Sequence, residues 1–450
     1  MCFSGQCTPV DPGTDPRREC GAGTACGFDA TCRKLDGAPC ASASECAARS
    51  CVLGTCALIA QERVTEGLNP NASVPNLADY PIPRVVEDLA ASAGGQVAVA
   101  VTEVEIHKVP TRAADVIEAA VLLLTQAPNK SWTSRLLLGS FNVASQERPR
   151  VALRYLGETL QVVISRPPDS ACGQGQPRCG LMTFALAADG ATSAEAVLDP
   201  LAQGVDGLSM SADAQGRPVL GTADGRGLHL YRLEGTWSEI ASAPLPPDYA
   251  PGTFGLAQYR GGFVWIYGLA PTGVVDEVDV RSAAKVEAQL FSMDGGLPFL
   301  ARGLAVTTPV DPPTLPDLFF GLTAVDFNQT SQTVRVSAAT GASTVTVAAA
   351  PDGNSSAVWP TWISDAPPLL LVPQNRQNLV ELLYRDPASG PDTLLAQNAQ
   401  GSTIRSLKVA SQGARRPLVA YTLGRGADPA TSAFVPVFPG VELLRVGATP

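Results

Sequence analysis

The chain has 450 residues, 42 acidic against 32 basic groups, a formal net charge of −10 and only two histidines, His107 and His229. Nucleic acid and anionic membrane surfaces are disfavoured as partners because no Lys/Arg cluster stands in the sequence to meet them. No apolar run reaches the roughly 18–20 residues of a spanning helix, and 42 glycines with 38 prolines mark a strand-and-turn protein.

Nine of the eleven cysteines stand at 2, 7, 20, 26, 32, 40, 46, 51 and 56. The same stretch holds few large apolar residues, among them Phe28, Leu35, Val52 and Leu53. So few side chains do not offset the ordering entropy of some fifty residues, and the segment needs staples. Zinc is disfavoured, because there is no C-x2-C pair and no histidine before His107. Disulfides among Cys7, Cys20, Cys26, Cys32, Cys40, Cys46, Cys51 and Cys56 are expected, which places the protein outside the cell or on its surface. Their pairing stays open: the last four cysteines alone allow three connectivities. Cys2-Phe3-Ser4-Gly5-Gln6-Cys7 returns as Cys51-Val52-Leu53-Gly54-Thr55-Cys56. The repeat and the odd count carry the expectation that residues 1–56 are a disulfide-rich module truncated at its start, with a secretion signal upstream.

The stretch Gly37-Ala38-Pro39-Cys40-x5-Cys46-x4-Cys51-Val52-x-Gly54-x-Cys56 resembles the Dickkopf-like cysteine-rich modules of bacterial, myxobacterial-type surface proteins. The resemblance implies a non-enzymatic module. One departure is Ala57, where such modules often carry a second cysteine.

Residues 67–83 (GLNPNASVPNLADYPIP) read as a linker. From Arg84 onward, short alternating apolar runs are separated by Gly, Pro, Asp and Asn, the signature of strands and turns. Leu208, Arg217-Pro218 and Gly225-Arg226-Gly227 match Leu407, Arg416-Pro417 and Gly424-Arg425-Gly426 at an offset of 199 residues. Ser131-Trp132-Thr133 resembles Thr236-Trp237-Ser238 at an offset of 105. A period near 50 divides both offsets and fits four short strands, one propeller blade.

Seven units follow, beginning near Arg84, Arg148, Val205, Pro251, Ala301, Asn354 and Ser402. The expected fold is an all-β, seven-bladed β-propeller over 84–450, with six or eight blades and a pair of β-sandwiches as the alternatives. The last unit shows only three strands. Ala57-Leu58-Ile59-Ala60-Gln61 resembles Thr393-Leu394-Leu395-Ala396-Gln397, so residues 57–66 are expected to complete the last blade. Closure removes exposed edges. The G-x-P strand starts and the tryptophan that opens an outer strand resemble diverged bacterial propellers found beside such cysteine modules.

The links between second and third strands vary most and form the expected binding face. One spans 103–115 and holds Glu105, His107, Lys108 and Arg112. Another spans 271–283 and holds Asp276, Glu277, Asp279 and Arg281. A third spans 167–180, and within it Cys172 and Cys179 flank GQGQPR and are expected to form a surface disulfide. No metal site or cofactor is expected, calcium at Asp276-Glu277-x-Asp279 being the one open case, though the sequence lacks the D-x-[DN]-x-[DN]-G loop. His229 is expected to fill a strand face, and the tryptophans to pack between blades. No G-x-S-x-G, P-loop or sialidase box is present. The expected function is binding of a protein or glycan without catalysis. An extracellular carbohydrate-active enzyme or a structural envelope component is the alternative.

Overall fold

The computed structural model describes residues 2–3, 6–7, 23–26, 31–65, 68, 84–107, 116–126, 131–142, 149–166, 180–193, 196–199, 202, 205–259, 262–270, 277–292, 299–306, 318–324, 331–336, 343–348, 359–361, 369–376, 379–385, 393–398, 402–411, 417–425 and 440–447. Among these the protein is all-β, with one short 3-10 turn at Ala43–Glu45.

Three two-stranded hairpins occupy the cysteine-rich segment: β1 (Cys2–Phe3) with β2 (Gln6–Cys7), β3 (Thr24–Cys26) with β4 (Cys32–Lys34), and β5 (Cys51–Val52) with β6 (Thr55–Cys56). The repeated C-x-x-G-x-C is thus a repeated hairpin, pairing Cys2 with Cys7 and Cys51 with Cys56. In the second copy Leu53 and Gly54 both have positive φ, 53° and 69°, the twist-matched two-residue turn that favours glycine. Leu53 is a poor residue for that backbone, but its side chain is buried. Disulfides join Cys40 to Cys51 and Cys46 to Cys56, and Cys32 is also disulfide-bonded.

Among the described residues seven four-stranded sheets follow, and in each consecutive strands pair antiparallel. The first holds β8 (Arg84–Ala91), β9 (Val97–His107), β10 (Val116–Gln126) and β11 (Trp132–Asn142). The second holds β12 (Val151–Leu156), β13 (Thr159–Arg166), β14 (Gly180–Leu186) and β15 (Ala196–Asp199), and the third β16 (Gly207–Ala212), β17 (Pro218–Asp224), β18 (Gly227–Glu234) and β19 (Thr236–Ala243). Then come β20 (Tyr249–Tyr259) with β21 (Gly262–Leu269), β22 (Glu277–Arg281) and β23 (Val286–Ser292), and β24 (Phe299–Val306) with β25 (Leu318–Ala324), β26 (Ser331–Val336) and β27 (Ser343–Ala348). The sixth sheet has β28 (Trp359–Thr361), β29 (Leu369–Arg376), β30 (Leu379–Arg385) and β31 (Thr393–Asn398). The seventh has β32 (Ser402–Ser411), β33 (Pro417–Arg425), β34 (Val441–Val446) and, from the other end of the chain, β7 (Ile59–Val64).

The 199-residue offset is an identity of register. Leu208 faces Thr222 and Ala212 faces Pro218, while Leu407 faces Tyr421 and Ser411 faces Pro417. The first strand of each sheet packs beside the first strand of the next, and β32 packs beside β8. Apolar clusters fill the spaces between neighbouring sheets, and Gly207 shows how close they come. A Cβ there would lie 2.4 Å from Phe254 Cγ of the fourth sheet.

The tryptophan repeat also acquires a physical meaning. Trp237 Nε1 donates to Thr183 Oγ1 of the preceding sheet at 3.1 Å, and Trp132 Nε1 donates to Glu62 Oε1 of β7 at 2.6 Å. Trp265 Nε1 likewise reaches back to the His229 carbonyl at 3.1 Å. Each indole therefore fastens its own sheet to the one before it, and for the first sheet that neighbour contains β7.

β7 pairs with all of β34, from Val441↔Val64 to Val446↔Ile59. Gln61 Nε2 donates to the fully buried Glu442 at 2.8 Å, as Gln397 Nε2 donates to buried Glu381 at 3.2 Å in the preceding sheet. On the inner side, Ser406 Oγ accepts the Val86 N–H at 2.8 Å and Thr422 Oγ1 donates to the Arg84 carbonyl at 3.0 Å. The buried hairpin tip Val52–Leu53 joins the cluster of Leu382, Tyr384, Leu395, Leu407 and Tyr421. The module is thereby wedged against the sixth and seventh sheets, with Thr393 Oγ1 donating to the Cys51 carbonyl at 3.1 Å.

Candidate functional site

The first strands surround a cavity of about 660 Å³, lined from β8, β12, β16, β20 and β32 together with residues just before them. In each of these sheets the start of the first strand pairs with the end of the second: Arg84↔Glu103, Val151↔Ile164, Gly207↔Ala223, Tyr249↔Leu269 and Ser402↔Arg425. The second-to-third links therefore leave from the end of the cavity at which the first strands begin. Arg150, Asp206 and Tyr249 gather at that end, close enough for their charges to act on one another. Burial raises the Asp206 carboxyl, against the pull of Arg150, and raises the Tyr249 phenol, with Asp206 adding to it.

Farther in stand Asp88, Arg154, Tyr155 and Lys408. Asp88 is a clamp. Its Oδ2 accepts the Leu153 N–H of the second sheet at 2.7 Å and its Oδ1 the Leu89 N–H at 2.9 Å. Burial pushes its carboxyl up, and Lys408 and the two amides oppose that. Tyr155 is pushed up to about 12 by burial and by Glu158. The half-buried Arg154 guanidinium is lowered by desolvation.

A second polar cluster lies between the outer parts of the second and third sheets. Arg226 Nη2 bridges Asp199 Oδ2 at 2.7 Å and Asp224 Oδ2 at 2.6 Å, and Tyr231 donates to Asp199 at 2.6 Å. His229 belongs to it. Its Nδ1 is 3.2 Å from Glu239 Oε1, and its Nε2 stands 3.5 Å from Asp224 Oδ1, a charge contact without hydrogen-bond geometry. His229 lies on a strand face as expected, within β18 and paired to Thr222, and the end of β17 brings the buried carboxylate of Asp224 to it.

Asp224 holds the imidazole pKa above its ordinary value, against desolvation and with help from Glu239. Burial pushes Asp224 up, but His229 and Arg226 outweigh this and hold its carboxyl below the usual range. A raised histidine contributes stability that is full below the unfolded pKa of about 6.5 and fades as pH rises through the higher folded value. His229→Gln is therefore expected to destabilise the protein by about 1 kcal/mol at pH 5.5 and by much less at pH 9. Thermal melts of both proteins across that range check this. An equal penalty at both ends would remove the ion-pair account.

The residues expected from the long links fall as follows. Glu105 and His107 lie within β9, paired to Glu118 and Val116, so the first link begins later than expected. Glu277, Asp279 and Arg281 share strand β22, which corrects the 271–283 link. The turn ends sooner because these residues alternate in register with β21. Asp279 is buried and accepts the Tyr267 hydroxyl at 3.3 Å. Lys108, Arg112, Asp276, Cys20, Cys172 and Cys179 lie outside the described residues, as does nearly all of the linker. Cys7 and Cys26 lie on β2 and β3.

Among the described residues the one cluster of metal-type ligands is Cys40, Cys46 and Cys51, and its sulfurs are engaged in the two disulfides. Sequence reasoning missed Arg150, Arg154, Asp88, Asp206 and Lys408. The available signal was charge placed on or beside the innermost strand of a unit, as in Glu87-Asp88 and Arg154.

No protein family matches the chain, and no curated protein does. Solved structures similar to it include AofleA from Arthrobotrys oligospora, 11% identical, with 81% of this chain and 94% of that one covered at a TM-score of 0.37. The polysaccharide lyase Uly1 is 10% identical over 86% and 93%, at 0.42. The Aleuria aurantia lectin, in complex with Fucα1-6GlcNAc, is 11% identical over 69% and 97%, at 0.39. No function passes to this chain from likenesses at this level.

Proposed function

We propose that the protein is a secreted or cell-surface binding protein: a seven-bladed β-propeller over residues 84–450, closed by 57–66, carrying a disulfide module over 1–56 and joined through the 67–83 linker. The ring of first strands and the β7–β34 pairing support the blade count and the closure. The disulfides support an oxidising compartment.

The function is binding of a protein or glycan at the end of the ring from which the long links leave. One observation carries it: the cavity lined by Arg150 and Asp206 has a volume of about 660 Å³, in the range of ligand pockets. The reading is binding without catalysis; of the three carboxylates that line the cavity, Glu87, Asp88 and Asp206, Asp88 has both oxygens committed to backbone amides. Glu105, His107, Lys108, Arg112, Asp276, Glu277, Asp279 and Arg281 belong to the proposed face.

The test is a screen of the full chain against glycans and surface proteins, with and without calcium, beside turnover assays on glycoside substrates. Saturable binding without turnover is the expected result. Turnover of any glycoside would overturn it.

A further inference from the structure

The charged residues that line the central cavity are Glu87, Asp88 and Asp206 against Arg150, Arg154 and Lys408, and Glu87 is buried and engaged. Asp88 spends its oxygens on two amides and faces Lys408. Asp206 lines the cavity beside Arg150, whose charge acts on it. Arg154 differs in its lack of a described partner. It lines the cavity at the fourth position of β12, half-buried, and among the described residues no carboxylate or hydrogen-bond acceptor reaches its guanidinium. A guanidinium that has lost part of its hydration without gaining an anion is costly.

We propose that the central cavity binds an oxyanion (a carboxylate, sulfate or phosphate group borne by a small molecule or by the acidic end of a larger one) with Arg154 as its anchor. This rests on the reading of the protein as a binding protein and names the chemistry its ligand must carry. Guanidinium geometry suits the assignment: its fork of donors matches two oxygens of one oxyanion. Lys408 and Arg150, lining the same cavity, add attraction without competing for the planar fork. The Ser209 and Ser211 residues of β16 line it too and supply hydroxyls for the uncharged remainder of the ligand. Burial sharpens the preference, because an ion pair inside the ring is screened less by salt than one on the surface.

The same residue makes a stability statement with the opposite sign. In the empty protein Arg154 is a desolvated charge with no described partner, so replacing it should relieve the fold while harming the site. Residues built for binding often show this trade.

The experiment uses the full chain and five probes: inorganic sulfate, inorganic phosphate, D-glucuronate, D-glucose and a mixed neutral-oligosaccharide panel. Calorimetric titration at low ionic strength is run on the wild type, Arg154→Gln, Arg154→Lys and the outer-strand control Arg135→Gln. At least one oxyanion probe is expected to bind, to weaken at least tenfold in Arg154→Gln and less in Arg154→Lys, and to be unchanged in Arg135→Gln. The melting temperature of ligand-free Arg154→Gln is expected to equal or exceed that of the wild type, which also reports that it folds. Sulfate or phosphate binding with no glucuronate binding identifies a free inorganic ion as the ligand type. Glucuronate binding above glucose identifies an acidic sugar. Failure of all three oxyanions, or an affinity that Arg154→Gln leaves within twofold, overturns the proposal. Neutral sugars binding all variants equally would sink the oxyanion assignment while leaving the binding function standing.

Discussion

A chain beginning at Arg84 is expected to melt at least about 10 °C below the full-length protein, or to lose its cooperative transition altogether. Removing residues 1–83 strips β7 from the seventh sheet and leaves the whole of β34 as a bare edge. It also removes the fully buried Val64 from the cluster of Val97, Leu124, Leu418, Val441 and Leu443. Each buried aliphatic side chain is worth roughly 1.5–3 kcal/mol, and the neighbours uncovered by its loss add to that. Glu442 would lose Gln61 and Arg63, which lie 2.8 Å and 3.0 Å from it, and a buried carboxylate stripped of partners is a large cost. Trp132 and Gln126 would lose their shared acceptor, Glu62 Oε1. Melting followed by circular dichroism decides the matter, and a peptide of residues 57–66 added in trans should restore part of the loss. A shortened chain that melts within about 2 °C of the full one would show that the ring does not need this strand.

The second large effect concerns the disulfides. Replacing Cys46 and Cys56 together with serine is expected to cost on the order of 2–4 kcal/mol, and replacing Cys40 and Cys51 as well roughly doubles it. The loss should spread beyond the module, because β6 ends at Cys56 and β7 starts only at Ile59. The tip of the bridged hairpin also sits among Leu382, Tyr384, Leu395 and Tyr421. Hydrogen exchange is the discriminating measurement. Reduction should raise exchange in β7 and β34 as well as in β5 and β6, and exchange confined to the hairpins would mean that the module is a separate body. Stability to reductant with no change in melting temperature would contradict both statements.

Much of this architecture was legible because repeat proteins write their packing into spacing. The seven unit starts fall within five residues of the observed first strands. The two internal similarities proved to be shared register and a shared indole fastening. These signals are local, one strand and its neighbour, and local chemistry survives in sequence.

The candidate site was not legible for the opposite reason. Arg150, Asp206 and Lys408 come from three different units, and only the ring brings them to one cavity. Asp88 looks like a free acid until Leu153, 65 residues later, offers its amide. The network of His229 likewise depends on Asp199, which belongs to another sheet. The packing of the module was likewise not spelled out by spacing. Its few apolar residues are too few for a core of its own, and Val52 and Leu53 are used instead in the core of a neighbour.

The pairing of β7 with β34 fixes an order of events in the life of each molecule. Ile59–Val64 precedes Val441–Val446 by most of the seven sheets, so at ordinary elongation rates the earlier strand waits on the order of 20 seconds to a minute for its partner. During that wait it must be kept from pairing with the wrong edge. The cysteine hairpins precede it, so they can be bridged before any sheet is complete and hold the strand's beginning in place. The pairing of β7 with β34 requires both strands, so a nascent chain stalled short of Val441 is left with an open edge that quality control can recognise.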